Sequence, residues 1–582
     1  MFEIHDFTFL LFRKELDREA FDAGWPGFFK EYIEEDAGLY GQVYEPIFHK
    51  LREIHYNSDL PVDFPTGNKS FLYTLMLIGI AILLLAGINY TNMTTAKALT
   101  RIREAGIRKI VGAGKASLIS CFLFESFIFC LISLILALAT VEFILEFTSF
   151  NTLIGTEMEL QLLKKPELLL LIFGVTILFS LLSSLHPAIL ISRHSPSETI
   201  SDQFNLGPKG MVIRRILVVF QLFIGTVAII FTLFSRSQLR FLNKSDLGFN
   251  KENILMIPVR DSAMEASMPY LLDEMGTMPG IVSATTTWSY PGFPYGGLYT
   301  LEGKEGMEEH NIPVFFVNFG FLETMGLELI RGRDLNRQFG TDSAGAVLIN
   351  ETLARFMDWE EPLGKKINQF TQLQAKVVGV VKDFNFHSLH QYIDPLVIRL
   401  VSDYTGHLVV RFEGNSSSDI LDYLKKQFAE TVPHRPFEYF FLDDWFNQKY
   451  QGDKLQLQLF TLFAMVCIII ASLGILGLVS YSVERRTREI GLRKVNGAHS
   501  GSIIRLVFTR FLILNLVAIS AAIPVAILIF RFWLREFAYR VSIRIWPILL
   551  GVLLVLIIAQ LTVYLRVQSA ARMNPVDSIR YE

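Results

Sequence analysis

A glycine followed by a lysine raises the possibility of phosphate chemistry, and Gly112-Ala113-Gly114-Lys115-Ala116-Ser117 has part of the required pattern. A phosphate-binding loop needs Gly-x-x-x-x-Gly-Lys-Ser/Thr, because its backbone N–H groups cradle phosphate and its hydroxyl holds magnesium. Here Ala116 occupies the hydroxyl position and Lys109 the first glycine position, and Gly364-Lys365-Lys366 departs in a similar way. His387 and His390 follow Asp383 at a spacing that metal ligands use, but no cysteine–carboxylate cluster accompanies them. They read as loop histidines. Cys121, Cys130 and Cys467 all fall inside apolar runs and fit packing better than a disulfide framework or metal site. Residues 236–454 offer no nucleophile–base arrangement. The expectation is a chain with no catalytic residues, no metal and no cofactor of its own.

The informative pattern is a basic segment that occurs twice. Arg101-Ile102-Arg103-Glu104-Ala105-Gly106-Ile107-Arg108-Lys109-Ile110-Val111-Gly112-Ala113 aligns without a gap on residues 486–498. Glu104, Gly106, Arg108, Lys109 and Gly112 fall on Glu489, Gly491, Arg493, Lys494 and Gly497. In each copy a glutamate precedes an arginine by four residues, the orientation that favours a helix by about 0.3–0.5 kcal/mol per pair. Ile490, Leu492 and Val495 leave an apolar side, and Gly497 suits a helix stop. Positive charge near a membrane needs no particular residue order, so an ordered repeat argues for more than topology. A short amphipathic helix with a rigid stop suits pushing against a partner.

Long apolar runs hold these segments in place. The chain is 51% hydrophobic and 19% charged, with a net charge of -3, which gives a nucleic-acid partner no electrostatic support. A bilayer core of about 30 Å needs about 20 apolar residues. Seven stretches qualify, near 71–93, 117–141, 167–192, 213–235, 455–481, 503–531 and 546–566. The fold class is therefore a polytopic α-helical membrane protein, embedded in lipid, with seven transmembrane helices in two repeats. The Lys/Arg bias places the loop after span one, residues 193–215, the 485–494 loop and the C-terminal tail in the cytoplasm. Arg535, Arg540 and Arg544 run against that bias on the outer side. Residues 236–454 are then an extracytoplasmic α/β or α+β domain. Its strands are expected at 283–288, 314–317, 375–381 and 408–411, and its helices at 265–276, 346–357 and 418–430.

The Arg-Glu-Ile-Gly-Leu-Arg-Lys-Val-Asn-Gly-Ala segment at 488–498 and the closing Met573-Asn574-Pro575-Val576-Asp577-Ser578-Ile579-Arg580 resemble the FtsX-like/MacB-like ABC transporter permeases. Ser195-Pro196-Ser197-Glu198-Thr199-Ile200 echoes the latter at the end of the first half. Gly332-Arg333-Asp334, Ile349-Asn350-Glu351, Pro362-Leu363-Gly364-Lys365 and Gly379-Val380-Val381-Lys382-Asp383-Phe384 add to the likeness, which covers nearly all of residues 50–582. The resemblance implies that both basic segments are coupling elements for a separate cytoplasmic ABC ATPase, taken in two copies by one duplicated chain. It also implies export of an unidentified substrate from the periplasm or outer leaflet, at the inner membrane, by transmitted motion. Regulation of a cell-wall hydrolase and lipoprotein release use the same architecture.

The same resemblance divides the chain into a remnant of a first periplasmic domain (1–70) and a first three-helix unit (71–200). A linker with an opening helix (201–235), a MacB-like periplasmic core (236–454) and a second three-helix unit (455–582) follow. Family members open each half with a helix, and the first half here lacks one, which leaves a truncated, inactive fragment as a further reading. Glu125 and Arg510 align at the repeat offset of 385 residues inside two spans. A charge at mid-bilayer costs about 2.5–3.5 kcal/mol on insertion scales. They are expected either to snorkel to the interface or to pair between the repeats.

Overall fold

The computed structural model describes residues 18–32, 51, 69–96, 98–151, 158–162, 164–193, 208–304, 306–369, 373–401, 406–414, 417–484 and 499–571. A helix, α1 (Arg18–Tyr32), precedes the membrane helices. Helices α2 (Lys69–Ala96), α3 (Ala98–Ile110), α4 (Lys115–Phe147) and α5 (Pro166–Arg193) make the first bundle. Helix α6 (Pro208–Lys244) leads into a run of strands and short helices that ends at residue 450.

Seven described helices are long and apolar enough to cross a membrane, at the seven places the sequence marks. Each is a helix because in lipid every backbone group has to be satisfied within the segment; α6 departs most from an apolar surface, with Arg214, Gln221 and Gln238 buried among its neighbours. Polar side chains stitch them together. Thr91 Oγ1 donates to the Ser183 carbonyl at 2.9 Å, and the Tyr90 and Ser126 hydroxyls meet at 2.6 Å.

The extramembrane region contains strands β1 (Ile254–Pro258), β2 (Ile281–Thr287), β3 (Tyr295–Glu302), β4 (Met307–Val317), β5 (Leu329–Gly332) and β6 (Ala346–Asn350). Strands β7 (Lys366–Gln369), β8 (Leu373–Val381), β9 (Val397–Leu400), β10 (His407–Phe412) and β11 (Phe440–Phe441) complete it. Interleaved helices are α7 (Ser262–Thr277), α8 (Phe321–Met325), α9 (Asp342–Gly345), α10 (Glu351–Phe356), α11 (Ser417–Thr431) and α12 (Leu442–Gln448). Strands β11-β1-β10-β2 form an antiparallel sheet whose outer face is covered by α7 and α11 through Met264, Leu271, Leu424 and Phe428. Strand β2 hands on to β4, and β4-β3-β7-β8-β6-β9 closes on itself because β9 also pairs in parallel with β4. Tyr299, Val314, Val347, Val377 and Val397 fill that ring.

One sequence expectation is corrected here. Residues 346–357 are not one helix. Ala346–Asn350 is a fully buried strand between β8 and β9, and only Glu351–Phe356 is helical. A run of four apolar residues and a buried asparagine, covered on both faces, has no alternation to betray it.

The chain then returns through α13 (Gln451–Glu484), α14 (Ser500–Trp533) and α15 (Trp546–Ala571), which pack with α6 as the second bundle. Helices α2 and α13 occupy the same place in the two repeats and pack against each other, so the halves meet at equivalent helices. Gln221 of α6 sits at that seam. It is fully buried, its Nε2 donates to the Leu85 carbonyl of α2 at 3.2 Å, and Gly474 of α13 leaves room for its side chain.

Candidate functional site

The first basic segment is a helix, and its geometry is explicit. Within α3, Arg108 Nη2 donates to Glu104 Oε1 at 2.6 Å, the i,i+4 pair that the spacing implies. Both side chains are exposed, so the pair adds only a few tenths of a kcal/mol and serves to orient. Lys109 Nζ donates to the Ser192 carbonyl at 2.7 Å, pinning α3 to the C-terminal end of α5, where the helix dipole favours a cation. Arg108 also reaches the Cys121 Sγ on α4 at 3.3 Å. Ala105 and Gly106 face inward, and Ala105 packs with Leu118, Phe122 and Ala188. Small residues here let α3 lie close against the bundle. Gly112 follows the helix with φ +102°, and the Gly112 and Ala113 amides donate to the Lys109 and Arg108 carbonyls. It is the left-handed stop that glycine supplies without strain.

The side of α3 turned away from the bundle is apolar. Ile107 is 63% exposed, Ile110 62% and Val111 83%, with Glu104, Arg108 and Lys115 exposed around them. Ile107 and Ile110 align with Leu492 and Val495, the residues that leave an apolar side on the second copy in the sequence. The second copy, with Glu489, Gly491, Arg493, Lys494 and Gly497, lies outside the described residues. The end of α13 that precedes it is described. Arg214, nearly buried at the start of α6, stacks over the Tyr481 ring at 4.3 Å. Arg566 Nε donates to Ser480 Oγ at 2.9 Å. Both arginines therefore grip the end of α13 just before the second basic segment. The sequence offers them only as two charges among many at that face.

Glu125 and Arg510 are not brought together as an ion pair. Glu125 is half-buried on α4, which packs chiefly on α5, whereas Arg510 is exposed on α14, which packs on α6 and α15. His387 and His390 diverge, His387 towards Asp394 at 3.4 Å and His390 towards Asp453 at 2.9 Å.

Seven spans among the described residues, with an extramembrane sheet domain between the fourth and fifth, define a multi-pass membrane protein with a large extramembrane domain. The FtsX-like permease C-terminal model matches residues 76–196 and again 461–575, and the MacB-like periplasmic core domain model matches residues 216–421. The two FtsX matches begin 385 residues apart (461 minus 76), the offset of the basic repeat. The chain belongs to the FtsX-like/MacB-like family of ABC transporter permeases.

Among its relatives, a macrolide export ATP-binding/permease protein MacB of Campylobacter jejuni is 22% identical over 274 residues, 44% of this chain and 42% of the relative. A MacB of Yersinia pestis is 26% identical over 285 residues, 46% of this chain and 43% of the relative. The chain thus spans less than half the length of these relatives. Solved structures that it resembles include the periplasmic region of MacB from Actinobacillus actinomycetemcomitans, at 16% identity and a TM-score of 0.26, covering 33% of this chain and 91% of that one. The extracellular domain of the YknZ transporter from Gram-positive bacteria aligns at 13% identity and a TM-score of 0.24, covering 32% and 97%.

Proposed function

We propose that this chain is the membrane subunit of an ABC-type complex, that α3 and the 485–498 segment each dock on one copy of a separate cytoplasmic ATPase, and that its helices carry ATP-driven motion to the periplasmic domain. The observation that carries this reading is the exposed Ile107–Ile110–Val111 surface on α3, framed by an ion pair and a glycine stop. An apolar patch ringed by charge at a membrane protein's aqueous face suits a protein partner better than water or lipid. Lys109 and the Ala105 packing make α3 stiff against α4 and α5, so a force applied to it is handed to the bundle. The sequence contains no complete phosphate-binding loop, which favours ATP hydrolysis in a partner. The cargo is an unidentified substrate extruded from the periplasm or outer leaflet, moved by mechanotransmission rather than through a central channel.

The test is co-purification from native membranes. Wild type should bring down an ABC ATPase whose turnover rises in the complex. Ile107→Asp/Ile110→Asp, and separately Glu489→Lys/Arg493→Glu, should each lower its recovery at unchanged membrane level. If wild type recovers no ATPase, the reading fails. Capture of a cell-wall hydrolase through the periplasmic domain, with no ATPase, would replace it with the scaffold reading.

A further inference from the structure

His390 lies on the loop between β8 and β9, at the boundary between the periplasmic domain and the membrane helices. Its two ring nitrogens reach two different helices. Nε2 lies 2.9 Å from Asp453 Oδ2 at the start of α13, and Nδ1 lies 3.3 Å from the Glu536 carbonyl in the turn (Leu534–Glu536) that ends α14. Its ring stacks on Phe537 at 4.4 Å between centroids. Helices α13 and α14 are the two whose opposite ends are joined by the second basic segment.

The connection between α14 and α15 is stitched on both sides. On the domain side, the Ala538 and Tyr539 amides donate to the His390 and Leu389 carbonyls at 3.2 and 3.4 Å, and the Leu389 amide donates to the Tyr450 hydroxyl at 2.9 Å. On the membrane side, Gln238 of α6, fully buried, donates to the Tyr539 carbonyl and accepts from the Val541 amide, both at 2.8 Å. The apolar core is continuous across this boundary, from Phe234 and Phe530 through Phe537 to Leu389 and Phe386.

We infer that His390 is a positioning residue that clasps the periplasmic domain to the outer ends of α13 and α14, so that displacement of one helix against the other is delivered to the domain through the β8–β9 loop. This inference rests on the coupling function proposed above. Both neighbours of the imidazole are acceptors, a carboxylate and a carbonyl, so only the doubly protonated ring satisfies both. The titratable groups facing it are Asp453, Tyr450 and Glu536. Burial disfavours its charge, but the Asp453 carboxylate, with a smaller contribution from Glu536, outweighs that and raises its pKa above the ordinary histidine value. The clasp is therefore complete below that ordinary value and is lost as pH rises through the raised one.

The experiment is hydrogen–deuterium exchange on the full chain in lipid nanodiscs from about pH 5 to about pH 8, corrected for intrinsic exchange. Protection of the Ala538 and Tyr539 amides should fall about tenfold across that range in wild type. His390→Gln and Asp453→Asn should each flatten the profile, and His387→Gln, on the same loop but facing Asp394, should leave it as in wild type. A flat wild-type profile, or one that His387→Gln abolishes, overturns the inference. In the ATPase complex, His390→Gln should leave ATPase capture intact and remove the pH dependence of its turnover. Loss of capture by wild type would overturn the coupling function, while the exchange profile would still decide the clasp.

Discussion

Asn350 shows what the family-like fragments of the outer domain do. It is fully buried, its Oδ1 accepts from the Leu353 and Leu396 amides at 3.0 and 2.9 Å, and its Nδ2 donates to the Asp394 carbonyl at 2.9 Å. It thus ends β6, caps α10 and holds the start of β9 at once. Asp383 accepts from the Thr352 amide and hydroxyl and from Arg355, and Arg333 forks onto Asp342 at 2.6 and 2.7 Å. Gly332 sits at φ +79° against Val378, where any Cβ would collide with the carbonyl oxygen. These residues are fixtures of the sheet rather than a binding site. Asn350→Ala removes a cap and leaves buried amides unpaired, so it should cost about 3 kcal/mol, measured as a lowered unfolding midpoint in detergent. Asp261 is a second case with a pH signature. The Met264 amide and then Arg435 hold its carboxyl down to about 2. Its contribution should be full above the ordinary value of about 4 and fade as pH falls through the depressed one. The stability difference between wild type and Asp261→Asn should shrink accordingly in an acid titration.

At the scale of elements, the sequence speaks most clearly where one physical rule acts alone. The seven spans follow from length and apolarity, and α3 follows from the Glu104–Arg108 spacing and Gly112. Strands β2, β4, β8 and β10 and helices α7 and α11 lie where alternation and periodicity put them. Legibility fails where tertiary context decides. Strand β6 is buried on both faces and reads as part of a helix. His390 reads as an ordinary loop histidine because its partners, Asp453 and Glu536, lie 63 and 146 residues away. The outward-facing arginines near residue 540 contradict simple charge bias, yet they belong to an ordered strap, with Arg540 Nε donating to the Phe537 carbonyl at 2.8 Å. The exposed face of α3 is the converse case. Its apolar residues are visible in the sequence, but only the packing of Ala105 and Gly106 reveals which way Ile107 points.

At the scale of the whole molecule, the meeting of α2 with α13 makes a specific geometric claim. A Cβ on Gly477 would lie 3.7 Å from the Met93 Cγ. Cysteines at 93 and 477, in a background without Cys121, Cys130 and Cys467, should form a disulfide within one chain under mild oxidation. This would appear as a faster-migrating monomer on a non-reducing gel. A covalent dimer instead would mean that the halves pair between chains.

The ring β4-β3-β7-β8-β6-β9 carries a further consequence. The ring closes through ladders of unequal length: β2 joins β4 at the single pair Thr287–Val317 and β3 joins β7 only at Thr300 and Leu301, so the free stretches among the described strands lie on β2 and β3 as well as on β11 and β5. Recruitment by lending a strand, a common way for one extracytoplasmic protein to hold another, is confined to those stretches, because β4, β6, β8 and β9 each pair on both sides. A neighbour held elsewhere on this domain, through side chains and surface shape, is one that can be released without unzipping any backbone.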